Sequence, residues 1–333
     1  MRSKTIMHGL SQCSLPYCAL VAVCASVIML SLYKNATAHD HDVLLLNEPV
    51  QPIPVIDIDR RKFSLGESLF HEKQLDRHER KSCSSCHDLS KGGSDGKTTS
   101  RPLNPEEPRS KEVNTPTIFN VKFNDSYYWN GLFESLDEQL DDALLELNDS
   151  WQILASRLAH IPSYERKFNL LYSDGITATN IKDALSYYVA SLSTPNSPFD
   201  QYLRGKPKAI DEKQKTGYRL FKQHGCIVCH QGINVGGNLT LPLAEITLDK
   251  FSPALGNTLT DRNSGKNNKI RVPSLRNVAL TAPYLHDGSA ATLEGAVNHM
   301  SRQAPGLSIP KQDTDLIIRF LKSLTGEYNG QML

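Results

Sequence analysis

Two pentapeptides constrain this chain more than any other feature. Residues 83–87 read CSSCH and residues 226–230 read CIVCH, so both follow the pattern C-x-x-C-H. This pattern attaches a c-type haem, because two thiols on one turn reach both vinyl groups of a single porphyrin. The histidine that follows then binds the haem iron. The sequence therefore predicts two covalent haem c groups, held by Cys83, Cys86, His87, Cys226, Cys229 and His230.

Two other chemistries also use paired cysteines. A structural zinc site of the C-x-x-C…C-x-x-C type places its halves ~15–20 residues apart, whereas these motifs begin at residues 83 and 226. A thioredoxin-like redox pair explains neither the following histidine nor the repetition. We keep structural zinc and redox thiols as the alternatives to haem.

The N-terminal segment predicts export. Two basic residues precede an apolar run from Cys18 to Leu32, and residues 36–38 (ATA) form a small-x-small cleavage site. We expect residues 1–38 to be a signal peptide, with a retained N-terminal anchor as the alternative. Of the seven cysteines, three lie in this segment and four belong to the two motifs. A mature chain with no other thiol fits the bacterial periplasm, where c-type haem is attached.

The chain repeats one helical plan. Gly66-x-x-x-Phe70 precedes the first motif as Gly217-x-x-x-Phe221 precedes the second, and residues 188–192 (YVASL) resemble residues 320–324 (FLKSL). We expect each glycine to let one helix cross another closely, with the aromatic side chain against the haem edge.

The periodicity of apolar residues predicts helices and no competing strand pattern. The helices are expected over residues 62–73, 136–147, 151–160, 181–192, 213–224 and 313–324, with one more ending at 300. The predicted fold is all-α, with two cytochrome-c-like helical domains that each carry one haem. We place the N-terminal domain at residues 39–203 and the C-terminal domain at residues 204–333.

The ligand opposite the histidine decides what each haem iron can do. A methionine thioether closes the iron and suits electron transfer, whereas an open position admits peroxide or dioxygen. The predicted mature chain has two methionines, Met300 and Met332. Leu293, Val297 and Met300 share one helical face, so Met300 is the predicted ligand of the second haem. Simple packing of Met300 is the alternative, and His299 is the rival ligand.

The first haem has no such candidate. Residues 88–159 contain neither histidine nor methionine. His71 and His78 precede the motif and His160 lies far along the chain, so none is a convincing ligand. We therefore predict an open or water-bound iron at His87, which gives one haem for chemistry and one for electrons.

With these residues in view, the chain resembles the bacterial di-haem cytochrome c peroxidase/MauG superfamily over nearly all of its mature length. Two haem motifs alone indicate only a di-haem cytochrome. The stretches specific to the family are residues 114–117 (NTPT), 128–131 (YWNG) and 271–288 (RVPSLRNVALTAPYLHDG).

The resemblance implies roles for individual residues. The second haem would be the high-potential one, held by His230 and Met300. Trp129 corresponds to the tryptophan that relays electrons between the haems, with an aromatic core residue as the alternative. Asn114 through its side chain, and Thr281 and Pro283 through their carbonyls, correspond to ligands of a calcium ion at the domain junction. Such hard oxygen donors suit calcium.

The chain also departs from the family pattern. Ordinary peroxidases carry a histidine in the loop after the first haem, which blocks the iron until the other haem is reduced. Residues 91–113 contain none, as in MauG-type enzymes, yet MauG uses a tyrosine where this chain has Met300. Gln139 matches a distal-pocket glutamine. The distal glutamate is replaced, which leaves Asp149 or Glu146 as the candidate carboxylate for proton transfer.

Three functions follow as hypotheses. The first is a periplasmic peroxidase that reduces hydrogen peroxide to water with electrons from a small cytochrome c or cupredoxin. The second is a MauG-like or MbnH-like enzyme that oxidises a tryptophan of a partner protein. The third is a di-haem electron carrier without catalysis. The formal net charge of +1 gives no basic field for nucleic acid, and a homodimer is one candidate assembly.

Overall fold

Helices account for most of the regular structure. The computed structural model describes residues 48–100, 113–147, 150–242, 269–303 and 308–333, so the predicted signal peptide lies outside the described residues. The helices are α1 (Arg60–Phe70), α2 (Leu136–Glu146), α3 (Trp151–Leu158), α4 (Pro162–Asn169), α5 (Ala178–Ser191), α6 (Pro198–Leu203), α7 (Glu212–Gln223), α8 (Leu293–Gln303) and α9 (Lys311–Lys322). No helix within the described ranges combines the length and apolar character needed to cross a membrane.

Within the described residues, four short strands accompany these helices, so the predicted all-α fold is helix-dominated rather than purely helical. The strands β1 (Thr240–Pro242) and β2 (Lys269–Arg271) pair antiparallel, and so do β3 (Glu327–Tyr328) and β4 (Gln331–Met332). Strands of two or three residues are too short to leave a period-two pattern in the sequence.

The predicted helices are present, with ends shifted by a few residues, but two short helices were missed. The helices α4 and α6 each begin with a proline in the first turn, where the missing N–H and fixed φ of proline are favourable. Their lengths of 8 and 6 residues leave little helical periodicity to detect.

Close helix crossings at two glycines confirm the repeat. The helix α1 packs against α5 at Gly66, where an added Cβ would lie 2.5 Å from the Cβ of Tyr188. The helix α7 packs against α9 at Gly217, where an added Cβ would lie 2.7 Å from the carbonyl carbon of Leu316. Each pair can therefore approach closely only because the glycine has no side chain.

Aromatic pairs next to these crossings have the same positions in both halves. The rings of Phe70 and Tyr188 lie 5.3 Å apart, and those of Phe221 and Phe320 lie 5.2 Å apart. Tyr188 and Phe320 open the YVASL and FLKSL segments. The aromatic packing thus confirms that these segments are structural equivalents.

A second repeat, with an offset of 157 residues, was missed by the sequence analysis. Asn120 and Asn277 both have left-handed backbone, with φ of 63° and 58°, and both precede a 3-10 turn. Their amides donate to the carbonyls of Leu192 (2.7 Å) and Leu324 (3.2 Å). Residues 114–133 and 271–290 therefore fold alike and anchor to equivalent helix ends.

A buried ion pair connects three distant segments. Arg276 donates to Asp200 at 2.7 Å, with both side chains at most 1% exposed. The same guanidinium donates to the carbonyl of Gln51 at 2.7 Å, and Asp200 accepts from the amide of Ile53 at 3.2 Å. The pair therefore joins the segment before α1, the helix α6 and the segment that follows β2.

We expect alanine at Gly66 or Gly217 to destabilise the protein. The new methyl group would collide with the carbonyl oxygens of Ala184 and Leu316, and such overpacking costs roughly 1–3 kcal/mol. Gly295 on α8 is the matched control, because its nearest neighbour would be 3.3 Å away. Guanidinium denaturation of the three variants checks this; equal midpoints for Gly66→Ala and Gly295→Ala would contradict it.

Replacing one partner of the buried ion pair should be more severe. Arg276→Met leaves Asp200 buried and uncompensated, which costs roughly 3–5 kcal/mol of the free energy of unfolding. Lys311→Gln, which breaks the exposed contact with Glu294, should change stability little. Urea denaturation followed by far-UV circular dichroism measures both, and similar losses in the two variants would refute the expectation.

Candidate functional site

The first motif forms a compact turn. Cys83–Ser85 is a 3-10 turn in which the amide of Ser82 donates to Ser85 Oγ at 3.0 Å. The amide of His87 donates to the carbonyl of Cys83 at 2.9 Å. The chain therefore places both thiols and the imidazole on one continuous bend.

The second motif repeats this geometry. Cys226–Val228 is a 3-10 turn, entered through Gly225 with a φ of 76°, a conformation that glycine adopts without strain. The amide of His230 donates to the carbonyl of Cys226 at 3.0 Å. Two independent turns of the chain thus present the same three side chains in the same order.

Both motif histidines are oriented by a backbone carbonyl. The Nδ1 atoms of His87 and His230 lie 3.1 Å from the carbonyl of Gly93 and 3.3 Å from that of Val235. Because a carbonyl only accepts, Nδ1 carries the proton and Nε2 keeps its lone pair for a metal. Burial lowers the pKa of both imidazoles, that of His230 to about 4, which keeps them neutral.

The cysteines fit thioether formation better than zinc or redox chemistry. Burial raises the pKa of Cys83 to about 12 and that of Cys226 to about 11, whereas reactive redox cysteines have lowered values. Within the described ranges, no three His, Cys, Asp or Glu side chains converge as a metal site. The motif residues therefore fit two haem c groups and give no support to the two alternatives.

Trp129 lies at the junction of the two repeated segments. Its ring stacks on His286 with centroids 5.2 Å apart and planes at 30°. The amide of Arg271 donates to the carbonyl of Trp129 at 3.0 Å, and the amide of Asn114 donates to that of His286 at 2.8 Å. Asn114 is equivalent to Arg271, and Trp129 to His286, at the 157-residue offset. Each segment therefore makes the same backbone contact with the other. The offset is visible in the sequence, where Pro116 and Pro273 are also equivalent.

The segments predicted to bind calcium meet near this junction. The carboxamide nitrogen of Asn114 donates to the carbonyls of Lys97 (2.8 Å) and Thr98 (3.3 Å). Thr281 lies against the backbone of Gly92, where an added Cβ would be 3.0 Å from Thr281 Cγ2. Pro283 follows a cis peptide bond. Asn114 and Thr281 thus both contact the loop that contains Gly92 and Thr98. Calcium binding stays a prediction.

The predicted distal residues are only partly described. Gln139 is half-buried on α2. Glu146 is the last residue of α2, but its side chain lies outside the described residues, and so does Asp149. The distal carboxylate therefore stays a prediction.

Met300 does not pack into the core. On α8, Leu293 and Val297 are only partly buried, and Met300 is 44% exposed. Both the role of Met300 as an iron ligand and the alternative that it packs on one face of α8 stay predictions. His299, the rival, is half-buried, and burial lowers its pKa.

Four other histidines of the described residues cap helices or are exposed. His224 ends α7, and its Nε2 lies 2.8 Å from the Asp313 carboxylate. His160 is exposed, with Nδ1 2.8 Å from the carbonyl of Ser156. His71 and His78 are exposed as well.

Comparison with known proteins gives one consistent result. A family model described as di-haem cytochrome c peroxidase matches residues 60–208. Cytochrome c peroxidase Ccp of Escherichia coli (strain K12) is 38% identical over 308 residues, which cover 90% of this chain and 65% of that protein. Cytochrome c551 peroxidase of Nitrosomonas europaea is 35% identical over 308 residues, which cover 91% of both chains.

A solved structure agrees with these relatives. The crystal structure of a MauG-like protein associated with microbial copper homeostasis is 25% identical, with a TM-score of 0.67. The match covers 84% of this chain and 93% of that one. The two C-x-x-C-H turns and the similarity along nearly the whole chain lead to one conclusion: the chain belongs to the di-haem cytochrome c peroxidase family.

Proposed function

We propose that this protein is a periplasmic di-haem peroxidase that reduces hydrogen peroxide to water. The observation that carries the proposal is the pair of C-x-x-C-H turns, each with its imidazole oriented through Nδ1. The family relatives named as cytochrome c peroxidases support it. The predicted export segment supports the periplasm, and a small cytochrome c or cupredoxin is the proposed electron donor.

The first half would perform the chemistry. When bound at Cys83, Cys86 and His87, a haem supplies an iron that can take up an oxygen of the peroxide. His87 would bind that iron through Nε2, because Nδ1 is tied to the carbonyl of Gly93. Asp149 or Glu146 would move the proton from one peroxide oxygen to the other, and Gln139 would assist by hydrogen bonding.

The second half would supply electrons. His230 and Met300 are the residues that would bind the iron there, and a thioether ligand raises the potential of a haem. Trp129 stacks on His286 where the two repeated segments meet. This stack is the proposed path for electrons that travel from the second half to the first, as the family resemblance implies for Trp129.

A calcium ion is proposed at the same junction. Asn114 would bind it through the carboxamide oxygen, because both observed bonds of the carboxamide use the nitrogen. The carbonyls of Thr281 and Pro283 would complete the protein ligands, and oxygen donors of this kind suit calcium. We also propose that the boundary between the two domains lies between residues 203 and 204.

A second candidate function is oxidation of a tryptophan in a partner protein. The absence of histidine from residues 91–113 favours it, because an iron that is always open needs no reductive activation. The structural relative described as MauG-like also points this way. The third candidate, an electron carrier, requires both irons to be closed by protein ligands.

Electron paramagnetic resonance of the resting holoenzyme tests the proposal directly. We expect one high-spin ferric signal from the iron at His87 and one low-spin signal from the iron at His230. The reduced protein should bind carbon monoxide at one haem. A wholly low-spin spectrum without carbon monoxide binding would leave only the electron carrier.

A steady-state assay then separates the two catalytic functions. A peroxidase should oxidise reduced cytochrome c or a reduced cupredoxin with two electrons per peroxide. Negligible turnover with such donors, alongside peroxide-dependent oxidation of a partner protein, would favour the MauG-like activity instead.

Removing the proposed sulfur ligand should change the second haem only. Met300→Ala is expected to lower the potential of that haem and abolish its methionine-to-iron charge-transfer band, since the thioether is lost. Met332→Ala is the matched control, because Met332 is similarly exposed but lies on β4. Spectroelectrochemical titration measures both variants; an unchanged potential in Met300→Ala would exclude the ligand role.

A further inference from the structure

The chain has two tryptophans, and the family resemblance accounts for only one of them. Trp151 begins α3, where its Nε1 donates to Asp141 Oδ1 on α2 at 2.6 Å. A hydrogen bond this short to a carboxylate is of the strong, charge-assisted kind. Trp151 therefore has a base already aligned with its indole proton.

The carboxylate is itself fixed in place. Lys182 on α5 donates to Asp141 Oδ1 at 2.9 Å and to Oδ2 at 3.1 Å. The side chain of Asp141 is 46% exposed, so this group has access to solvent. Three helices thus meet at one contact, in which the carboxylate is held against the indole and open to water.

Trp151 also lies in the same core as the first haem motif. Its side chain packs against the hydrophobic cluster of the first half, as do Cys83 and Leu89 on either side of His87. The indole therefore packs against the same cluster as the first haem motif, while its N–H donates to the partly exposed carboxylate.

We propose that Trp151 is a redox-active residue that stores one oxidising equivalent of the peroxide reaction, with Asp141 as its proton acceptor. This inference rests on the proposed peroxidase function, which supplies the oxidant. A partly exposed, oxidised Trp151 would hand that equivalent to a reductant at the surface of the first half.

The step balances in electrons and protons. Trp151 gives one electron to the peroxide-oxidised first-haem site, which is thereby reduced by one equivalent. The Nε1–H bond breaks, and its proton moves to Asp141 Oδ1, which becomes a neutral carboxylic acid. A neutral indolyl radical remains, and an electron from a donor with the proton from Asp141 restores the resting pair.

A carboxylate matters here because oxidation makes the indole N–H a far stronger acid than it is in the resting residue. A carboxylate already hydrogen-bonded to that N–H can accept its proton without moving. An amide at position 141 would still accept the N–H bond but could not take the proton. Asp141→Asn therefore preserves the packing while removing the base, which separates the redox role from a structural one.

The test is electron paramagnetic resonance of the holoenzyme, frozen within milliseconds of mixing with hydrogen peroxide and no donor. The protein is prepared with ring-deuterated tryptophan, which narrows a tryptophan radical signal and leaves a tyrosine signal unchanged. The variants are Trp151→Phe, Asp141→Asn and Tyr172→Phe. Tyr172 is the matched control, because its hydroxyl donates to Asp183 at 2.7 Å in the same half.

We expect a tryptophan radical that is lost in Trp151→Phe, reduced about tenfold in Asp141→Asn and unchanged in Tyr172→Phe. Haem content and circular dichroism confirm that each variant is folded. A signal that persists in Trp151→Phe, that disappears in Tyr172→Phe, or that is equal in Asp141→Asn and the unaltered protein would overturn the proposal.

Consumption of peroxide separates this inference from the proposed function. Failure of the holoenzyme to consume peroxide, or to change its haem spectrum on mixing, would refute both. Normal consumption without a radical that depends on Trp151 would refute only the role of Trp151 and leave the peroxidase function standing.

Discussion

The molecule depends on a reciprocal backbone contact between two equivalent segments. The amide of Arg271 donates to the carbonyl of Trp129, and the amide of Asn114 donates to that of His286. Each segment therefore supplies one donor and one acceptor, and the aromatic rings stack between them. Backbone bonds of this kind fix position without depending on side-chain identity, so the ring pair is held from both sides.

Local packing follows the same plan in both halves of the chain. A glycine lets two helices cross, an aromatic pair packs beside the crossing, and a carbonyl orients the imidazole of the adjacent motif. Gly66 and Gly217 occupy equivalent places in this scheme. The halves differ where their chemistry is proposed to differ, since only the second half carries Met300 and only the first carries the Trp151–Asp141 contact.

The sequence was most informative where spacing encodes chemistry or packing. The C-x-x-C-H motifs predicted two turns with one imidazole each, and the glycine repeat predicted the two crossings that the structure confirms. The short helices and strands escaped because two to eight residues carry too little periodicity. The Trp151–Asp141 contact escaped because its partners come from different helices, and nothing in a linear pattern joins them.

The repeat that forms the reciprocal contact could have been predicted from the sequence, whereas the Arg276–Asp200 ion pair could not. Residues 114–133 and 271–290 share prolines, asparagines, tyrosines and glycines at one offset, which a search for longer periods would have detected. Arg276 and Asp200, by contrast, are ordinary charged residues in the sequence. Their burial depends on the way in which three remote segments come together, and no local signal reports that.

The buried Arg276–Asp200 pair means that the two halves cannot be separated at residue 204 without leaving Arg276 unpaired from Asp200. Arg276 is bonded to Gln51, which is 225 residues away along the chain, and to Asp200, which precedes the expected boundary at residue 203. A C-terminal fragment that starts at residue 204 would keep the cation but lose both of these acceptors. Gln51 and Ile53, which precede α1, thus complete the buried contact of the second half, and contacts that span this much of the chain are of the kind that slows folding.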